Sequence, residues 1–543
     1  MRLPPVKERF AFYADLVNKC NHSRDARKRQ YTLWKSYFLY GGGPNMTENT
    51  VNKIYSHVEQ LCSLMYSSET TRFSIDLSPS ASNLFKAQVP ALMHALNEEW
   101  HSSNVDNVFN MALLWSFVYG STFIKTRVSG TEIETHMVSP HDFGVLREDT
   151  NQLWRQEAFC HSYFITKSQF VYEMREIEHP RLEQILKTAI AVPRTVAEES
   201  TQGLDRIVTS ASNPQVTGNV NFDLSSPNKY KPVVSEEMLQ MYELYVFDDE
   251  EKDFRVVTIA DPGVVVFDRP IKEMFIKGEI PFVQVCPSPA PDYFWGYSET
   301  DKLIPLQKMR NTRMDQVMHM LNLQTMPPKY ASGFDGAQDE MALAMDSPNG
   351  LVVSGMPGAK FEAMVPKVPE DVYKEIREID AMFEEMSGIT NVISGKGESG
   401  VRSQGHAANL ARLGSSRAKR RALMVEDSLE KLATLYLQLK QAYDPSRLQD
   451  TNGLQFVTEQ FSKDFTVKVD AHSNSPIFTE DTKQLAFELF KAKAIDRESL
   501  LELLDVPMKE LLKDKLKVIE AKEAEQAKAQ QAAEAQKAQA KSK

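Results

Sequence analysis

The sequence is poor in cysteine and lacks the short motifs that mark common reactive centres. Its 543 residues contain four cysteines, Cys20, Cys62, Cys160 and Cys286, which lie far apart and form no CxxC pair. This spacing argues against a disulfide scaffold or a zinc ribbon and favours reduced thiols. HExxH and GxSxG are also absent. Nothing in the residues therefore argues for catalysis, and we expect no catalytic residues, no metal site and no cofactor.

Long apolar runs and an excess of positive charge are also missing. The first nineteen residues carry charges throughout and have no apolar centre of the kind found in a signal peptide. The longest apolar stretch, residues 111–119, is about half the ~20 residues that a membrane helix needs. With 63 Lys+Arg against 74 Asp+Glu, the formal charge is −11. This acidic balance argues against a general nucleic-acid coat. The missing signal peptide and membrane helix predict a soluble intracellular chain, or one assembled inside a cell.

The first half of the chain predicts an α+β fold. Apolar spacing indicates helices over 5–20, 51–65, 84–100 and 104–119. A hairpin follows, with a Ser-Gly turn at 129–130, and further strands are predicted around 241–247 and 254–260. Residues 194–232 are rich in Ser, Asn, Gly and Pro, and we interpret them as a long surface excursion.

The second half contains two predicted helices around a short β-like segment. The first covers Leu303–Leu323, with Pro305 in its first turn, and the second covers 370–386. The second helix combines a narrow apolar seam with seven acids against Lys374 and Arg377, a local net charge of −5. The seam consists of Val372, Ile376, Ile379, Phe383 and Met386.

A glycine-rich loop and a long basic helix over about 403–443 come next. Seven basic residues lie between 395 and 425, among them Lys396, Arg402 and Arg421, against the single acid Glu398. The loop contains Gly395-x-Gly397-x-x-Gly400, which formally matches a dinucleotide-binding fingerprint. Such a site needs a preceding strand and an acid about 20 residues later, whereas a helix precedes this loop and the residues around 415–421 are basic. A nucleotide-binding enzyme that uses this loop remains an alternative function for the chain.

Two interpretations of this charge segregation remain open from the residues alone. If several copies form a ring, the acidic helices could line a channel that repels phosphates, while the basic loop contacts a DNA backbone without reading its sequence. Alternatively, the acids form a solvated surface and the arginines make ion pairs within one chain.

The order of these segments resembles the portal proteins of tailed bacteriophages. WSFVYGSTFIKTRVSGTEIETHMVSPHDFGV is similar to part of the wing, and WGYSETDKLIPLQKMRNTRMDQVMHMLNLQTMPPKY to the first stem helix. EDVYKEIREIDAMFEEMSGITNVISG, followed by GHAANLARLGSS, resembles the second stem helix, the tunnel loop and the long helix after it. The segment from Phe465 to Pro507 is similar to the closing wing and crown.

The resemblance implies a portal-type fold with an α/β wing, a two-helix stem, a small β-rich clip, a long wing helix and a helical C-terminal crown. The expected segments are wing 1–297, first stem helix 298–326, clip 327–369, second stem helix 370–387, tunnel loop 388–402, long wing helix 403–445, wing and crown 446–515, and an Ala/Lys/Glu/Gln-rich tail 516–543.

The resemblance also implies a function and partners. It predicts a ring, most often of twelve subunits, at one capsid vertex of the virion, assembled in the host cytoplasm, through which double-stranded DNA is packaged and ejected. Terminase would dock on the clip, tail and adaptor proteins would replace it, and scaffold and capsid proteins would surround the wing. Lys396 and Arg402 would contact DNA in the tunnel, Glu375, Glu378 and Glu385 would form an acidic channel wall, and the seam would pack against neighbouring subunits. The resemblance implies no enzyme activity for this chain, because the motor hydrolyses the ATP. A non-portal head-assembly protein is a further alternative.

Overall fold

The chain folds into nine helices and thirteen strands within the part that the structure describes. The computed structural model describes residues 1, 3–5, 8–42, 50–67, 71–77, 83–129, 132–174, 185–186, 190–191, 237–260, 264–274, 279–325, 327, 329–332, 360–363, 369–387, 416–443 and 465–469, with a few single residues between 487 and 500. The helices are α1 Arg9–Tyr40, α2 Lys53–Met65, α3 Asn83–Ser102, α4 Val105–Tyr119, α5 Lys167–Met174, α6 Ile271–Met274, α7 Glu299–Thr325, α8 Glu370–Ser387 and α9 Ser416–Tyr443.

The strands form four antiparallel sheets. They are β1 Phe73–Leu77, β2 Thr122–Ser129, β3 Glu132–Val138, β4 Phe143–Val145, β5 Ala158–Thr166, β6 Ile190–Ala191, β7 Glu237–Asp248, β8 Asp253–Ala260, β9 Val264–Pro270, β10 Phe282–Val285, β11 Lys329–Ser332, β12 Lys360–Ala363 and β13 Phe465–Val469. The largest sheet has the order β4-β5-β7-β8-β9, with β6 beside β7, and a second sheet has the order β10-β2-β3. Pairs β1–β13 and β11–β12 complete the set.

A pairing between distant parts of the chain closes the fold. Strand β1 pairs with β13 in the register Phe73↔Val469 to Leu77↔Phe465. Side chains of flanking helices then bond the strand backbones: Asn97 of α3 accepts from the Phe73 amide at 2.9 Å, and Glu430 of α9 accepts from the Val469 amide at 3.1 Å. Because these side chains satisfy backbone groups that would otherwise be unpaired, they stabilise a sheet of only two strands.

A buried ion pair lies between the two larger sheets. Lys125 on β2 donates to Glu243 on β7, and the Lys125 ammonium is 3.5 Å from Nδ1 of His161 on β5. Tyr245 also donates to Glu243. Burial raises the pKa of Glu243, but the charges and hydrogen bonds of Lys125 and His161 together outweigh this effect and hold that pKa far below its ordinary value. The pairing therefore offsets the desolvation of both charges.

The observed elements agree with most of the predicted helices and strands. The helices predicted over 51–65, 84–100, 104–119 and 370–386 are present, as are the hairpin and the strands around 241–247 and 254–260. Helix α1 extends to Tyr40, well past the predicted end at residue 20, and stops where Gly41 adopts a φ of +72°. A Cβ at Gly41 would approach the Thr50 side chain to 2.8 Å, so glycine suits this turn.

Two predicted boundaries were wrong. Strand pairing joins Ser129 to Glu132, so Ser129 belongs to strand β2 and not to the predicted turn at 129–130. Helix α7 begins at Glu299, not at Leu303, because the Ser298 hydroxyl accepts from the Asp301 amide at 3.0 Å and caps the helix earlier. Pro305 therefore lies inside the helix and not in its first turn. The surface excursion predicted at 194–232 and the tail at 516–543 lie outside the described residues.

No helix in the described ranges combines the length and the apolar character that a membrane crossing needs.

Stability is expected to fall when the pH drops below about 6.5. Burial lowers the pKa of His161 to about 4, with Lys125 adding to the effect, and lowers the pKa values of His136 and His141 to about 3. Between about pH 6.5 and 4 the unfolded chain binds protons that the folded chain does not, so stability is complete above 6.5 and is lost as the pH falls. We expect the unfolding free energy to drop by roughly 3–6 kcal/mol from pH 7 to pH 5, measured by urea denaturation.

The variant His161→Asn provides a control, since an amide does not titrate in this range. It should reduce the pH dependence of the unfolding free energy by about the contribution of one histidine. Equal urea midpoints at pH 7 and pH 5 in the unmodified protein would contradict the prediction.

Candidate functional site

Helices α7 and α8 form an antiparallel pair that contains most of the predicted site residues. Helix α7 starts at the Ser298 cap, and α8 starts directly after Pro369, whose carbonyl accepts from the Val372 amide at 3.2 Å. Proline suits this position because it has no amide hydrogen to leave unpaired at a helix start. Strands β11 and β12, which pair in the register Lys329↔Ala363, lie between the two helices in sequence.

Neutral side chains join α7 to the segment between α1 and α2. Gln307 donates to the Val51 carbonyl at 2.9 Å and accepts from the Lys53 amide at 3.0 Å. One turn later, Asn311 donates to the Gly41 carbonyl at 2.8 Å. These amides satisfy backbone groups where α1 ends and α2 begins, and thereby fix the first half of α7 against both helices.

Charged side chains join α8 to its neighbours. Asp380 accepts from Nε of Arg310 at 2.9 Å and lies 3.5 Å from the Lys53 ammonium. Glu375 forms a second ion pair with Arg313, at 2.9 Å. Arg310 is almost fully buried, whereas Glu375 and Arg313 are each more than one third exposed. Asp380 keeps about 30% of its side chain exposed, so water reaches the first contact in part. The second contact is expected to contribute no more than about 1 kcal/mol.

The predicted seam of α8 is divided between the chain's own core and the surface. Ile379 and Phe383 are buried, and Phe383 stacks on His57 of α2 with ring centroids 5.5 Å apart and planes 5° from parallel. Val372 and Ile376 are partly exposed, and Met386 is 41% exposed. Ile379 and Phe383 thus contribute to the core of a single chain, which the sequence did not anticipate, because an apolar stripe does not specify what covers it.

The three acids predicted for a channel wall lie along one side of α8. Glu375, Glu378 and Glu385 are separated by three and then seven residues, spacings that return to the same side of a helix. Glu378 and Glu385 are exposed, and Glu375 is the residue paired with Arg313. Part of the negative charge on this side is therefore balanced within the chain.

The basic segment is described only from Ser416 onwards. Arg421, at the start of α9, pairs with Glu299 of α7 at 2.9 Å, and both side chains are largely buried. This arginine therefore behaves as the alternative interpretation expected, by forming an ion pair within the chain. Lys396, Arg402 and the glycine-rich loop lie outside the described residues.

Two histidines, His141 and His319, show no arrangement suited to catalysis. His141 is buried in a turn and contacts the rings of Tyr31 and Tyr119, with centroids 5.2 and 5.3 Å away. His319 is exposed on α7. Across the described ranges, no three His, Cys, Asp or Glu side chains are grouped so that they could hold a metal ion.

Sequence reasoning missed the polar residues that position the two helices. Gln307, Arg310, Asn311, Lys53 and His57 were not identified, although Gln307 and Asn311 are four residues apart on the buried side of α7. An amide pair on the apolar side of a predicted helix was the available signal, since buried amides need partners. Their partners, at residues 41–53, are about 260 positions away and could not be inferred.

Comparison with known proteins identifies one family. The family model described as "Phage SU10 portal protein" matches residues 84–471, more than two thirds of the chain. The matched range includes every element from α4 to β13, and thus both α7 and α8. No curated protein matches the sequence.

Two seam residues should differ sharply in their effect on the stability of one subunit. Phe383→Ala removes a fully buried ring and its contact with His57, so we expect a loss of about 3–5 kcal/mol in unfolding free energy. Met386→Ala changes an exposed side chain and should alter it by about 0.5 kcal/mol or less. Urea denaturation of the two purified variants measures the difference, and similar losses for both would contradict the placement of Phe383 in the core.

Proposed function

The chain belongs to the phage SU10 portal protein family and is a portal protein of a tailed bacteriophage, and from this premise we propose how its residues form the channel. Copies of the chain assemble into a ring of twelve subunits around a central passage for double-stranded DNA. The observation that carries the proposal is the family match across both α7 and α8, together with the acidic side of α8.

The acids of α8 form the channel wall in this proposal. Glu378 and Glu385 are exposed, and repetition around a ring would multiply their charge. A negative wall repels DNA phosphates, which keeps DNA from binding tightly and lets it slide. Glu375 contributes less net charge because Arg313 pairs with it.

Lys396 and Arg402 supply the opposite charge in the tunnel loop 388–402. Phosphate contacts hold DNA in position without reading its sequence, which suits a channel that must pass a whole genome.

The exposed part of the seam provides contacts between subunits. Val372, Ile376 and Met386 keep accessible apolar surface in the single chain, and Ile379 and Phe383 support them from the core side. A neighbouring copy that covers the exposed members would remove apolar area from water and stabilise the ring.

The remaining segments take the roles that the family implies. The wing comprises residues 1–297, 403–445 and part of 446–515, the stem comprises 298–326 and 370–387, and the clip comprises 327–369. Terminase docks on the clip during packaging, and tail or adaptor proteins bind there afterwards. Scaffold and capsid proteins contact the wing at one capsid vertex, after assembly in the host cytoplasm. Portal proteins are generally structural, so hydrolysis of ATP is assigned to the terminase and not to this chain.

Ring formation is the first test of this function. We expect purified protein, alone or with its scaffold protein, to give the native mass of a closed ring and negative-stain images with a central hole. A monomer or dimer under both conditions would contradict the channel. Tight binding of ATP or NAD by the purified protein would favour a nucleotide-binding enzyme instead.

Neutralising the loop cations tests the contact with DNA. The double variant Lys396→Ala, Arg402→Ala should form rings but lose retained DNA, because each lost phosphate contact weakens binding and lowers its salt dependence. DNA retained in filled heads is the measurement. Lys19→Ala with Lys431→Ala is a matched control, since both lysines are exposed and pair with an acid four residues earlier. Normal retention in the loop variant would remove these residues from the channel role.

A further inference from the structure

Helices α7 and α8 are attached to the rest of the chain by different chemistry. The contacts of α7 through Gln307 and Asn311 are hydrogen bonds from neutral amides to the backbone at Gly41, Val51 and Lys53. Salt screens the attraction between charges but has little effect on neutral hydrogen bonds. Glu299 of α7 also pairs with Arg421 of α9, but both side chains are largely buried, so salt screens this pair only weakly. The attachment of α7 should therefore depend far less on ionic strength than that of α8.

The attachment of α8 depends on charge at its centre. Asp380 is held by Arg310 at 2.9 Å and by Lys53 at 3.5 Å, and the side chains of Asp380 and Lys53 are each about 30% exposed. Of the α8 residues whose side chains the structure describes, only Ile379 and Phe383 are buried. Because only these two side chains bury apolar area, the Asp380 carboxylate contributes a substantial share of the energy that docks α8.

Arg310 makes this dependence stronger. Its side chain is 9% exposed, and its Nη1 atom has no hydrogen-bond partner among the described residues. Asp380 thus supplies the hydrogen-bonded counter-charge for a buried guanidinium. Without that carboxylate, docking of α8 would leave the cation buried and unpaired, whereas undocking would let water reach it. The cost of the unpaired Arg310 cation therefore destabilises only the arrangement in which α8 is docked.

We propose that Asp380, Arg310 and Lys53 form an ionic latch that holds α8 in place, and that α8 is the movable half of the helix pair. When the latch opens, α8 separates from α2 and from its contact with α7, while α7 stays bound to residues 41–53. The latch is a positioning device, since Asp380 acts through the placement of α8.

The consequence for DNA passage rests on the proposed function. Glu378 and Glu385 lie within five residues of Asp380 on the same helix, so a displacement of α8 moves the proposed channel wall. The state of the latch would then set the width of the channel at this level. The latch itself is a property of one chain and does not depend on whether a ring forms.

Hydrogen–deuterium exchange on the full-length protein tests the latch. We expect Asp380→Asn to raise exchange of the peptide amides in 370–387 by about tenfold or more, with little change in 299–325. Raising salt from about 0.05 to 1 M should produce the same selective increase in the unmodified protein, because the Debye length falls well below 10 Å. Exchange in α1 to α4 reports whether the variant is folded.

Two further variants separate the latch from a general loss of stability. Asp371→Asn is the matched control, since Asp371 is exposed and pairs with Lys374 of the same helix, at 3.0 Å. It should leave exchange in 370–387 unchanged. Gln307→Ala should raise hydrogen exchange in 299–325, and the size of this increase should be the same at low and at high salt.

Equal increases of hydrogen exchange in α7 and α8, or no increase in α8, would overturn the proposal. This criterion applies to Asp380→Asn and to high salt alike. If Asp380→Asn does not fold, the salt experiment on the unmodified protein decides the question. Selective loosening of α8 in a protein that forms no rings would support the latch and contradict the channel, so the two failures are distinguishable.

Discussion

One apolar core determines where every helix of the candidate site lies. It contains residues from Tyr31 on α1 to Val469 on β13, and it includes Leu303 of α7, Phe383 of α8 and Leu429 of α9. Burial of these side chains in a common core joins segments that are more than 400 residues apart in sequence. The pairing of β1 with β13 completes the same core, so neither the first nor the last part of the described chain can form it alone.

The treatment of charge differs between the inside and the outside of the fold. Charges that approach the core are paired: Lys125 with Glu243, Arg421 with Glu299, and Lys440 with Glu99. Such pairing is required because an isolated buried charge costs several kcal/mol. Glu378 and Glu385 are exposed on α8, where water solvates their charge. A solvated negative surface repels a polyanion, which agrees with the channel wall that we propose for α8.

Several features of the fold could be predicted from local sequence signals. The apolar spacing of Ile54, Val58, Leu61 and Met65 predicts α2, and the alternation on either side of Gly130 predicts the β2–β3 hairpin. Boundaries were less predictable, because they depend on caps such as the Ser298 hydroxyl and on turns such as Gly41. Pro305 illustrates the limit: proline favours a helix start, but tertiary contacts around Ser298 and Glu299 extend α7 beyond it.

The sequence by itself determined the α+β class, both helices of the candidate site, the acidic side of α8 and the portal family. These features follow from periodicity, composition and segment order, which are properties of the chain. Only the tertiary structure decided which members of the α8 seam are buried, that Arg421 pairs with Glu299, and that Asp380 lies between Arg310 and Lys53. The physical reason is that these contacts join residues between 70 and more than 300 positions apart. The packing of the shared core determines which of these residues come into contact. The pattern of residues along the chain does not specify those contacts.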